Sequence, residues 1–232
     1  MELQGRHAVI TGGTGALGTA VVGRLLEAGA LCHVPYRSAA QAAQFPYRDR
    51  SGVTLVMVED LADEASVERF YAALPPLWAS IHVAGGFACG PVATTDKAAL
   101  LGQLDKNLVS CFLCCRAALE AMPDGAGGRI VNVAARPALE WRSGANMAAY
   151  AASKAAVAAL TVALAQEVAT RNILVNAVAP SIIDTPANRR DMPDADHAAW
   201  PKPAAIAEII CHLASPANQV ARGAIVPVYG KA

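Results

Sequence analysis

The feature that most constrains this chain is a regular alternation of short apolar runs with longer segments of helical periodicity. Apolar or β-branched runs predict strands at 7–10, 31–34, 53–58, 80–83, 129–133, 173–178 and 224–228. Apolar residues at helical spacing predict helices at 16–28, 63–74, 97–122, 147–170 and 204–213. Strands that alternate with helices form a parallel sheet that is covered on both faces. We therefore predict an α/β fold with a doubly wound parallel sheet.

The composition is that of one sizeable domain of 232 residues, without an internal repeat or a linker, and we expect residues 1–232 to form it. Hydrophobic residues make up 54% of the chain and charged residues 16%, which indicates that some helix faces are buried between subunits. The 19 basic and 19 acidic residues give a net charge of zero. No basic run stands out, which argues against nucleic acid as a partner.

The predicted location rests on two features of the chain. The N-terminus enters the first strand directly, without the apolar region of a secretory signal. No uninterrupted apolar stretch is long enough to span a bilayer. We therefore expect a cytoplasmic protein that has no membrane partner. In a reducing cytosol, the 6 cysteines are expected to be free thiols.

Cys111 and Cys114 form a Cys-x-x-Cys pair, a pattern that also occurs in redox and metal sites. The pair lies inside the apolar helical run 108–122, and no second ligand pair follows it. We interpret both residues as small buried side chains. The five histidines show no metal-ligand grouping along the sequence, so we predict no metal site.

A glycine-rich loop follows the first predicted strand. Gly13, Gly15 and Gly18 have the spacing Gly-x-Gly-x-x-Gly, and the first helix begins within this pattern. Glycines let the backbone turn tightly and approach a pyrophosphate, which the N-terminus of the helix attracts. The strand–loop–helix context predicts a dinucleotide site.

The residues after the second and third strands bear on the choice of dinucleotide. Folds of this kind often place an acidic residue after the second strand, where it binds the ribose hydroxyls. This chain has Tyr36-Arg37-Ser38 there, which favours the 2′-phosphate of NADP(H) and leaves NAD(H) possible. Arg37 as a solvated surface charge is the alternative. Asp60 follows the third strand and either meets the adenine edge or leads the next helix.

Tyr150 and Lys154 lie four residues apart on the predicted helix 147–170, and therefore on one face. An ammonium group beside a phenol lowers the pKa of the phenol. A tyrosine tuned in this way exchanges a proton during hydride transfer. Taken alone, the spacing also fits a half-buried tyrosine and a lysine that extends its charge to solvent.

Residues 179–202 form the longest irregular stretch, rich in Pro, Asp, Asn and Arg. It follows the carboxyl end of a predicted strand, the edge at which open α/β sheets bind ligands. A long loop at that edge is typical of a lid. We predict a substrate lid at about 181–202.

Taken together, the motifs resemble the short-chain dehydrogenase/reductase family. They are Thr11-Gly12-x-x-x-Ala16-x-Gly18, Asp60-Leu61, Ala84-Gly85, Asn107, Tyr150-x-x-x-Lys154 and Pro180-x-x-x-x-Thr185, and they span nearly the whole chain. The resemblance implies a Rossmann-type domain, a nicotinamide cofactor and hydride transfer to a small molecule. It also implies a homodimer or homotetramer in which the helices that contain Asn107 and Tyr150 meet a second subunit.

The same resemblance implies a role for each motif residue. Tyr150 is the expected general acid/base, Lys154 the group that binds the nicotinamide ribose and lowers the pKa of Tyr150, and Asn107 the holder of a water in the proton relay. The expected cofactor-binding residues are Gly12, Thr14, Gly15, Ala16, Leu17, Gly18, Arg37, Asp60, Leu61, Ala84, Gly85, Gly86, Tyr150, Lys154, Pro180, Ile182, Ile183 and Thr185.

One position departs sharply from the family pattern. The catalytic serine of the family follows the fifth strand, where this chain has Ala135. Alanine cannot donate a hydrogen bond to a substrate carbonyl. Ser143, in the loop before the helix, is the only hydroxyl nearby that offers a substitute. The usual glycine after Pro180 is also replaced, by Ser181.

A subgroup of the family shares the alanine. The segments 84–87, 135–139 and 184–196 resemble dihydropteridine reductase, whose quinonoid substrate builds no carbonyl oxyanion. We therefore expect hydride transfer to a conjugated imine or carbonyl, with Phe87, Ala135, Ser143 and Asn188 as substrate-binding candidates. The alternatives are a reductase of small ketones or quinones and a non-catalytic NAD(P)-binding redox sensor.

Overall fold

A parallel sheet of seven strands lies at the centre of the computed structural model, which describes residues 3–231. The strands run in the order β3-β2-β1-β4-β5-β6-β7, and every neighbouring pair is parallel. Their bounds are β1 His7–Thr11, β2 Leu31–Tyr36, β3 Val53–Met57, β4 Ala79–His82, β5 Gly128–Val133, β6 Ile173–Pro180 and β7 Ile225–Val228. The predicted doubly wound α/β fold is confirmed.

The helices cover both faces of this sheet. Within residues 3–231 they are α1 Ala16–Glu27, α2 Ala39–Gln44, α3 Glu64–Ala72, α4 Lys97–Leu104, α5 Ser110–Ala121, α6 Ala148–Glu167, α7 Pro186–Asp191 and α8 Pro203–Ala214. Apolar residues of α1 and α8 pack in one buried cluster, and those of α3, α5 and α6 pack in another. The result is three layers, with the sheet between two layers of helices. Residues 1, 2 and 232 of the predicted domain lie outside the described chain.

Helix α1 shows how the sequence builds a layer. Its buried residues Leu17, Val21 and Leu25 recur every four positions and therefore face the sheet together. Full burial of such a side chain contributes about 1.5–3 kcal/mol. The chain leaves the helix at Gly29, whose φ of +86° is readily adopted only by glycine. The range 16–28 predicted for this helix therefore agrees with the structure to within one residue.

The structure differs from the predicted elements in three places. Helix α2 was not predicted, since none of its residues is buried and it leaves no apolar period. The single helix predicted at 97–122 is α4 and α5 joined by a π-helical turn, Asp105–Val109. The predicted lid is not wholly irregular, because it contains α7, which begins at Pro186 with Thr185 as its N-cap.

Helix α6 corrects the expectation that no stretch of the chain is long enough to span a bilayer. By length and composition alone, this helix of 20 residues meets that requirement. In the fold, one side of α6 is buried against the second apolar cluster through Val157, Leu164 and Ala165. Part of its apolar character is therefore used in the core of the domain.

The strand order fixes where a ligand binds. Strand β1 lies between β2 and β4, so the chain leaves β1 in one direction across the sheet and returns to the other side at β4. In open α/β sheets, the crevice at the carboxyl ends of two such strands is the binding site. Here those ends are Thr11 and His82.

Candidate active site

The glycine loop after β1 packs tightly against the end of β4. Gly12 has a φ of +66°, and a Cβ at this position would lie 2.7 Å from the backbone nitrogen of Ala84. A Cβ at Gly18 would overlap the carbonyl oxygen of Gly12. Side chains at either position would force the loop away from the sheet. These contacts explain why the loop needs glycine.

The same loop leaves the N-terminus of α1 open. Gly15 is the N-cap and supplies no side-chain hydrogen bond, and the helix begins at Ala16. Gly15 and Ala16 are exposed, Thr14 is half-buried, and the side chain of Leu17 turns into the core. The first N–H groups of a helix attract an anion when no side chain caps them. The residues therefore fit a pyrophosphate.

Arg37 lies immediately after β2, on the same edge of the sheet. Its backbone N–H donates to Oε1 of Gln41 at 3.2 Å, while its side chain is exposed. Within residues 3–231, the guanidinium group takes part in no ion pair. Next to it, Ser38 caps α2. The positive charge of Arg37 is therefore available to an anionic ligand.

Asp60 lies in the turn between β3 and α3 and does not cap that helix. Its Oδ1 accepts a hydrogen bond from the backbone N–H of Ala62 at 2.8 Å, which stabilises the turn that leads to α3. The residue is exposed, so its other oxygen faces solvent at the sheet edge. Leu61 is half-buried and packs against the second apolar cluster. The helix-leading acid is Asp63, which caps α3.

Asn107 is buried in the π-helical turn and connects three elements. Its Nδ2 donates to the carbonyl oxygen of Gly86 and to Oγ of Ser153, both at 2.9 Å, and its Oδ1 accepts from the N–H of Gly86 at 2.9 Å. These bonds hold the β4 loop, residues 84–87, against α6. Only one lone pair of Oδ1 remains for the predicted water.

Ser153 is a site residue that the motif analysis missed. Its hydroxyl donates to the carbonyl oxygen of Tyr150 at 2.7 Å and accepts the hydrogen bond from Asn107. The spacing of three residues between Tyr150 and Ser153 was visible in the sequence, because it is a helical neighbour spacing. Ser153 thus links the α4–α5 helix pair to the turn that carries Tyr150.

Tyr150 is half-buried at the start of α6, beside the β4 loop. Its ring meets the ring of Phe87 edge to face, with centroids 5.0 Å apart and planes at 84°. Burial raises the pKa of Tyr150 to about 12. Phe87 itself is 61% exposed, so it forms one wall of the mouth of the site.

Lys154 is buried one turn further along α6. Its Nζ donates to the carbonyl oxygen of Val133 at 2.8 Å, and burial lowers the pKa of Lys154 to about 8. A Cβ at Gly85 would lie 3.2 Å from this nitrogen, so the ammonium group faces the β4 loop. The prediction that Lys154 lowers the pKa of Tyr150 is wrong for the protein by itself, because burial governs both groups.

The position of the family's serine is occupied by a buried alanine. Ala135 is 4% exposed and follows β5. Ser143 is exposed, and its hydroxyl donates to the carbonyl oxygen of Glu140 at 2.7 Å within its own turn. In this conformation the Ser143 proton is not available to a substrate. The structure therefore does not bring the predicted substitute into the site.

Hydrogen bonds from its own side chains hold the segment after β6 in place. Pro180 ends the strand, and Ser181 donates its hydroxyl to the carbonyl oxygen of Tyr229 at 2.8 Å. Oγ1 of Thr185 accepts a hydrogen bond from the backbone N–H of Asn188. The side-chain nitrogen of Asn188 donates to the carbonyl oxygen of Ile183 at 2.8 Å. The polar groups predicted to meet cofactor or substrate at Thr185 and Asn188 thus hold the start of α7. The exposed residue of this turn is Ile182, at 42%.

Behind the site, the structure forms a grouping that the sequence did not predict. His82, Cys111 and Cys115 are buried together, and their potential ligand atoms all lie within 4.8 Å of one another. The sequence shows no such grouping, because its members come from a strand and a helix that are far apart along the chain, and the prediction of no metal site stays untested. The thiols of all six cysteines are free, and Cys89 is the one that is exposed.

Comparison with known proteins identifies the family. Residues 6–196 match the sequence profile of the short chain dehydrogenases. The chain belongs to the short-chain dehydrogenase/reductase family. It is 36% identical, over 243 aligned positions, to galactitol 2-dehydrogenase of Rhizobium johnstonii, with 98% of this chain and 95% of the relative covered. The protein is accordingly an NAD(P)-dependent oxidoreductase of this family.

Solved structures of similar proteins agree with the fold. A short-chain dehydrogenase/reductase family protein superimposes with a TM-score of 0.91 at 28% identity, covering 99% of this chain and 98% of the other. A blue fluorescent protein from a metagenomic library, solved in complex with NADPH, superimposes with a TM-score of 0.87 at 29% identity, covering 100% and 99% of the two chains.

Proposed function

We propose that this short-chain dehydrogenase/reductase reduces a conjugated imine or carbonyl, such as a quinonoid dihydropteridine, with NADPH. Ala135 is the observation that carries the proposal. A carbonyl oxygen that gains negative charge needs a hydrogen-bond donor, and such donors contribute several kcal/mol where charge develops. Position 135 offers none, and the hydroxyl of Ser143 is used within its own turn. A conjugated acceptor that spreads the charge has less need of that donor.

Each polar residue of the site would then have its own role in proton donation, cofactor binding or positioning. At neutral pH, Tyr150 is protonated at its ordinary pKa of 10 and stays so in the fold, where burial raises its pKa to about 12, so it has a proton to donate. Lys154 stands between the carbonyl oxygen of Val133 and the β4 loop, where its Nζ would hold the nicotinamide ribose. Asn107 and Ser153 keep the β4 loop and Tyr150 in register. The bound nicotinamide supplies the hydride.

The cofactor preference rests on charge at the end of β2. Arg37 is exposed, and within residues 3–231 its guanidinium group forms no ion pair, so it would bind a 2′-phosphate. An acidic residue at this position would repel that phosphate. The NADPH in the structurally similar blue fluorescent protein is in line with this preference. NAD(H) remains the second cofactor of the proposal.

Interconversion of a small ketone and its alcohol is a second candidate reaction. It is favoured by the 36% identity to galactitol 2-dehydrogenase, a protein named for the oxidation of a polyol. Other curated relatives are named for hydroxysteroid and dihydrodiol dehydrogenation. In this case a water or a rotated Ser143 would take the place of the missing serine.

The variant Ala135→Ser distinguishes the two reactions. On a quinonoid pterin, the variant should give little gain in kcat/KM, because only interactions that strengthen in the transition state accelerate the reaction. On simple ketones, the added hydroxyl should raise kcat/KM by about tenfold or more, since one such donor is worth about 10²–10³ where it is well placed. Efficient ketone reduction by the wild type, unchanged in the variant, would contradict the proposal.

Ala134→Ser is the matched control for that experiment. Ala134 is also buried and adjacent in sequence, but it packs in a small cluster with Ala138, Ala158 and Ala179. A serine there tests the cost of burying a hydroxyl without placing it at the family's catalytic position. Rate changes that appear in both variants would report altered packing, and changes confined to Ala135→Ser would report the chemistry.

The remaining expectations complete the proposal. Residues 181–202 would act as a substrate lid above Phe87 and Tyr150. The protein would work in the cytoplasm on a small molecule, as a homodimer or homotetramer, without nucleic acid or membrane partners. Exposed apolar residues support an interface between subunits: Phe112 on α5 is 48% exposed and Val162 on α6 is 50% exposed. Both helices are those that the family resemblance places at a subunit contact.

A further inference from the structure

The buried grouping behind the active site has the dimensions of a metal site. His82 Nδ1 lies 3.5 Å from Cys115 Sγ and 4.0 Å from Cys111 Sγ. In the metal-free protein, Oδ1 of Asn132 accepts hydrogen bonds from this nitrogen at 2.8 Å and from Sγ of Cys115 at 3.6 Å. Zinc binds nitrogen at about 2.0 Å and sulfur at about 2.3 Å, so a nitrogen ligand and a sulfur ligand lie about 3.5 Å apart around a tetrahedral ion.

We propose that His82, Cys111 and Cys115 bind one Zn²⁺ ion, and that Oδ1 of Asn132 becomes the fourth ligand once the ring proton of His82 has moved from Nδ1 to Nε2. Thiolate and imidazole are ligands that Zn²⁺ prefers, whereas Mg²⁺ and Ca²⁺ prefer oxygen ligands. The charges support the same choice. Two thiolates and a neutral imidazole cancel the charge of a divalent cation, so the occupied site buries no net charge. Binding releases the two thiol protons to solvent.

The surroundings of His82 already form the outer shell that such a site needs. Its Nε2 lies 2.8 Å from Oγ of Ser80, which lies 2.8 Å from the hydroxyl of Tyr71. In the zinc-bound state, the ring proton sits on Nε2 and is donated to Ser80, which fixes the tautomer that leaves Nδ1 free for the metal. On the other side, Nδ2 of Asn132 donates to Oγ1 of Thr161 at 2.9 Å. That bond orients Oδ1 of Asn132 toward the ion.

The position of the ligands defines the role of the ion. His82 ends β4 three residues before Gly85, Cys111 follows Asn107 by four residues, and Asn132 precedes Val133, whose carbonyl holds Lys154. An ion at this point ties together the strands and the helix that carry the β4 loop, Asn107 and the Lys154 contact. His82, Cys111 and Cys115 are each at most 5% exposed, so the ion is structural and does not meet substrate.

Metal content after refolding tests the site, because its burial requires the ion to enter while the chain folds. The full-length chain is unfolded, refolded with ZnCl₂, freed of loose metal with a chelator and analysed for zinc. Wild type should retain about one zinc per chain. Cys111→Ser and Cys115→Ser should lose at least about nine-tenths of that content, since two ligands and the charge balance are broken.

Cys114→Ser is the matched control. Cys114 is as deeply buried and lies in the same turns of α5, but it is not among the three grouped ligands. This variant should keep its zinc. Wild type refolded with Co²⁺ should also show the thiolate-to-cobalt charge-transfer absorption of a cysteine-ligated ion, a readout that does not depend on whether any variant folds. The proposal is overturned if refolded wild type holds no chelator-resistant zinc or lacks the cobalt absorption. Equal loss of zinc in all three variants overturns it as well.

Discussion

Lys154 is expected to make the stability of this protein depend on pH in an unusual direction. Its ordinary pKa is 10.5, and burial lowers that pKa to about 8 in the folded protein. The folded state therefore binds this proton more weakly than the unfolded chain. Below about pH 8, the buried ammonium lowers the free energy of unfolding by its full amount. This destabilisation decreases as the pH rises from about 8 toward 10.5. One pKa unit corresponds to about 1.4 kcal/mol, so the penalty is about 3 kcal/mol.

The variant Lys154→Met removes this titration while it keeps much of the side-chain volume. The difference in unfolding free energy, wild type minus variant, should rise by about 2–3 kcal/mol between about pH 7 and pH 10. The variant also leaves the carbonyl oxygen of Val133 without its donor, but that loss is nearly the same at both pH values. Urea unfolding at fixed protomer concentration measures the difference, since an oligomer's stability depends on concentration.

Lys97→Met serves as the control. Lys97 is exposed at the start of α4, so its ammonium group is hydrated in the folded and unfolded states alike. This variant should follow the wild-type pH profile. Parallel profiles for wild type and Lys154→Met would refute the reasoning, because they would mean that water or a counter-charge already compensates the buried ammonium. If the wild type instead lost stability relative to Lys154→Met as the pH rose, the predicted direction of the pH dependence would be refuted.

Three further results are expected. Tyr150→Phe should lower turnover by about 10²–10⁴, the usual worth of a positioned acid, while fluorescence titration shows unchanged cofactor binding; retained activity would remove Tyr150 as proton donor. Arg37→Ala should weaken NADPH binding by about tenfold or more and leave NADH binding nearly unchanged, because one charge-assisted contact is lost; equal effects on both cofactors would place Arg37 in solvent. Val162→Glu should shift sedimentation toward monomer, whereas a monomeric wild type at micromolar concentration would contradict the proposed interface.

The strands were predictable because burial leaves a direct trace in the sequence. Every residue of β4, β5 and β6 is buried, and each strand contains apolar or β-branched residues, although all three also include buried polar residues such as Ser80, Asn132 and Asn176. Helix α2 left no such trace, since its residues are all at least partly exposed. Helix α7 was hidden by Pro186, which reads as a breaker in a sequence but is well tolerated in the first turn of a helix.

The structure brings Asn107, Tyr150 and Lys154 close to the β4 loop, but the sequence did not predict the surroundings that set their chemistry. Sequence spacing shows that Tyr150 and Lys154 share a helix face, but not that the lysine turns to the carbonyl oxygen of Val133. The pKa of each group depends on that direction and on burial. The zinc-sized grouping was missed for a related reason. It joins a strand residue, His82, to Cys111 and Cys115, and the Cys-x-x-Cys spacing pointed to Cys114 instead.

The directions of the two pKa shifts bear on which substrate the site favours. Burial raises the pKa of Tyr150 and lowers that of Lys154, so both shifts favour the uncharged forms. Ala135 adds no donor for a developing oxyanion. Both reductions take a proton from Tyr150 and end on a neutral group, but a conjugated acceptor spreads the charge brought by the hydride over several atoms, whereas a simple ketone concentrates it on one oxygen. In the proposed function, the desolvation that lowers the pKa of Lys154 is thus a further reason to expect a conjugated imine, and not a simple ketone, as the substrate.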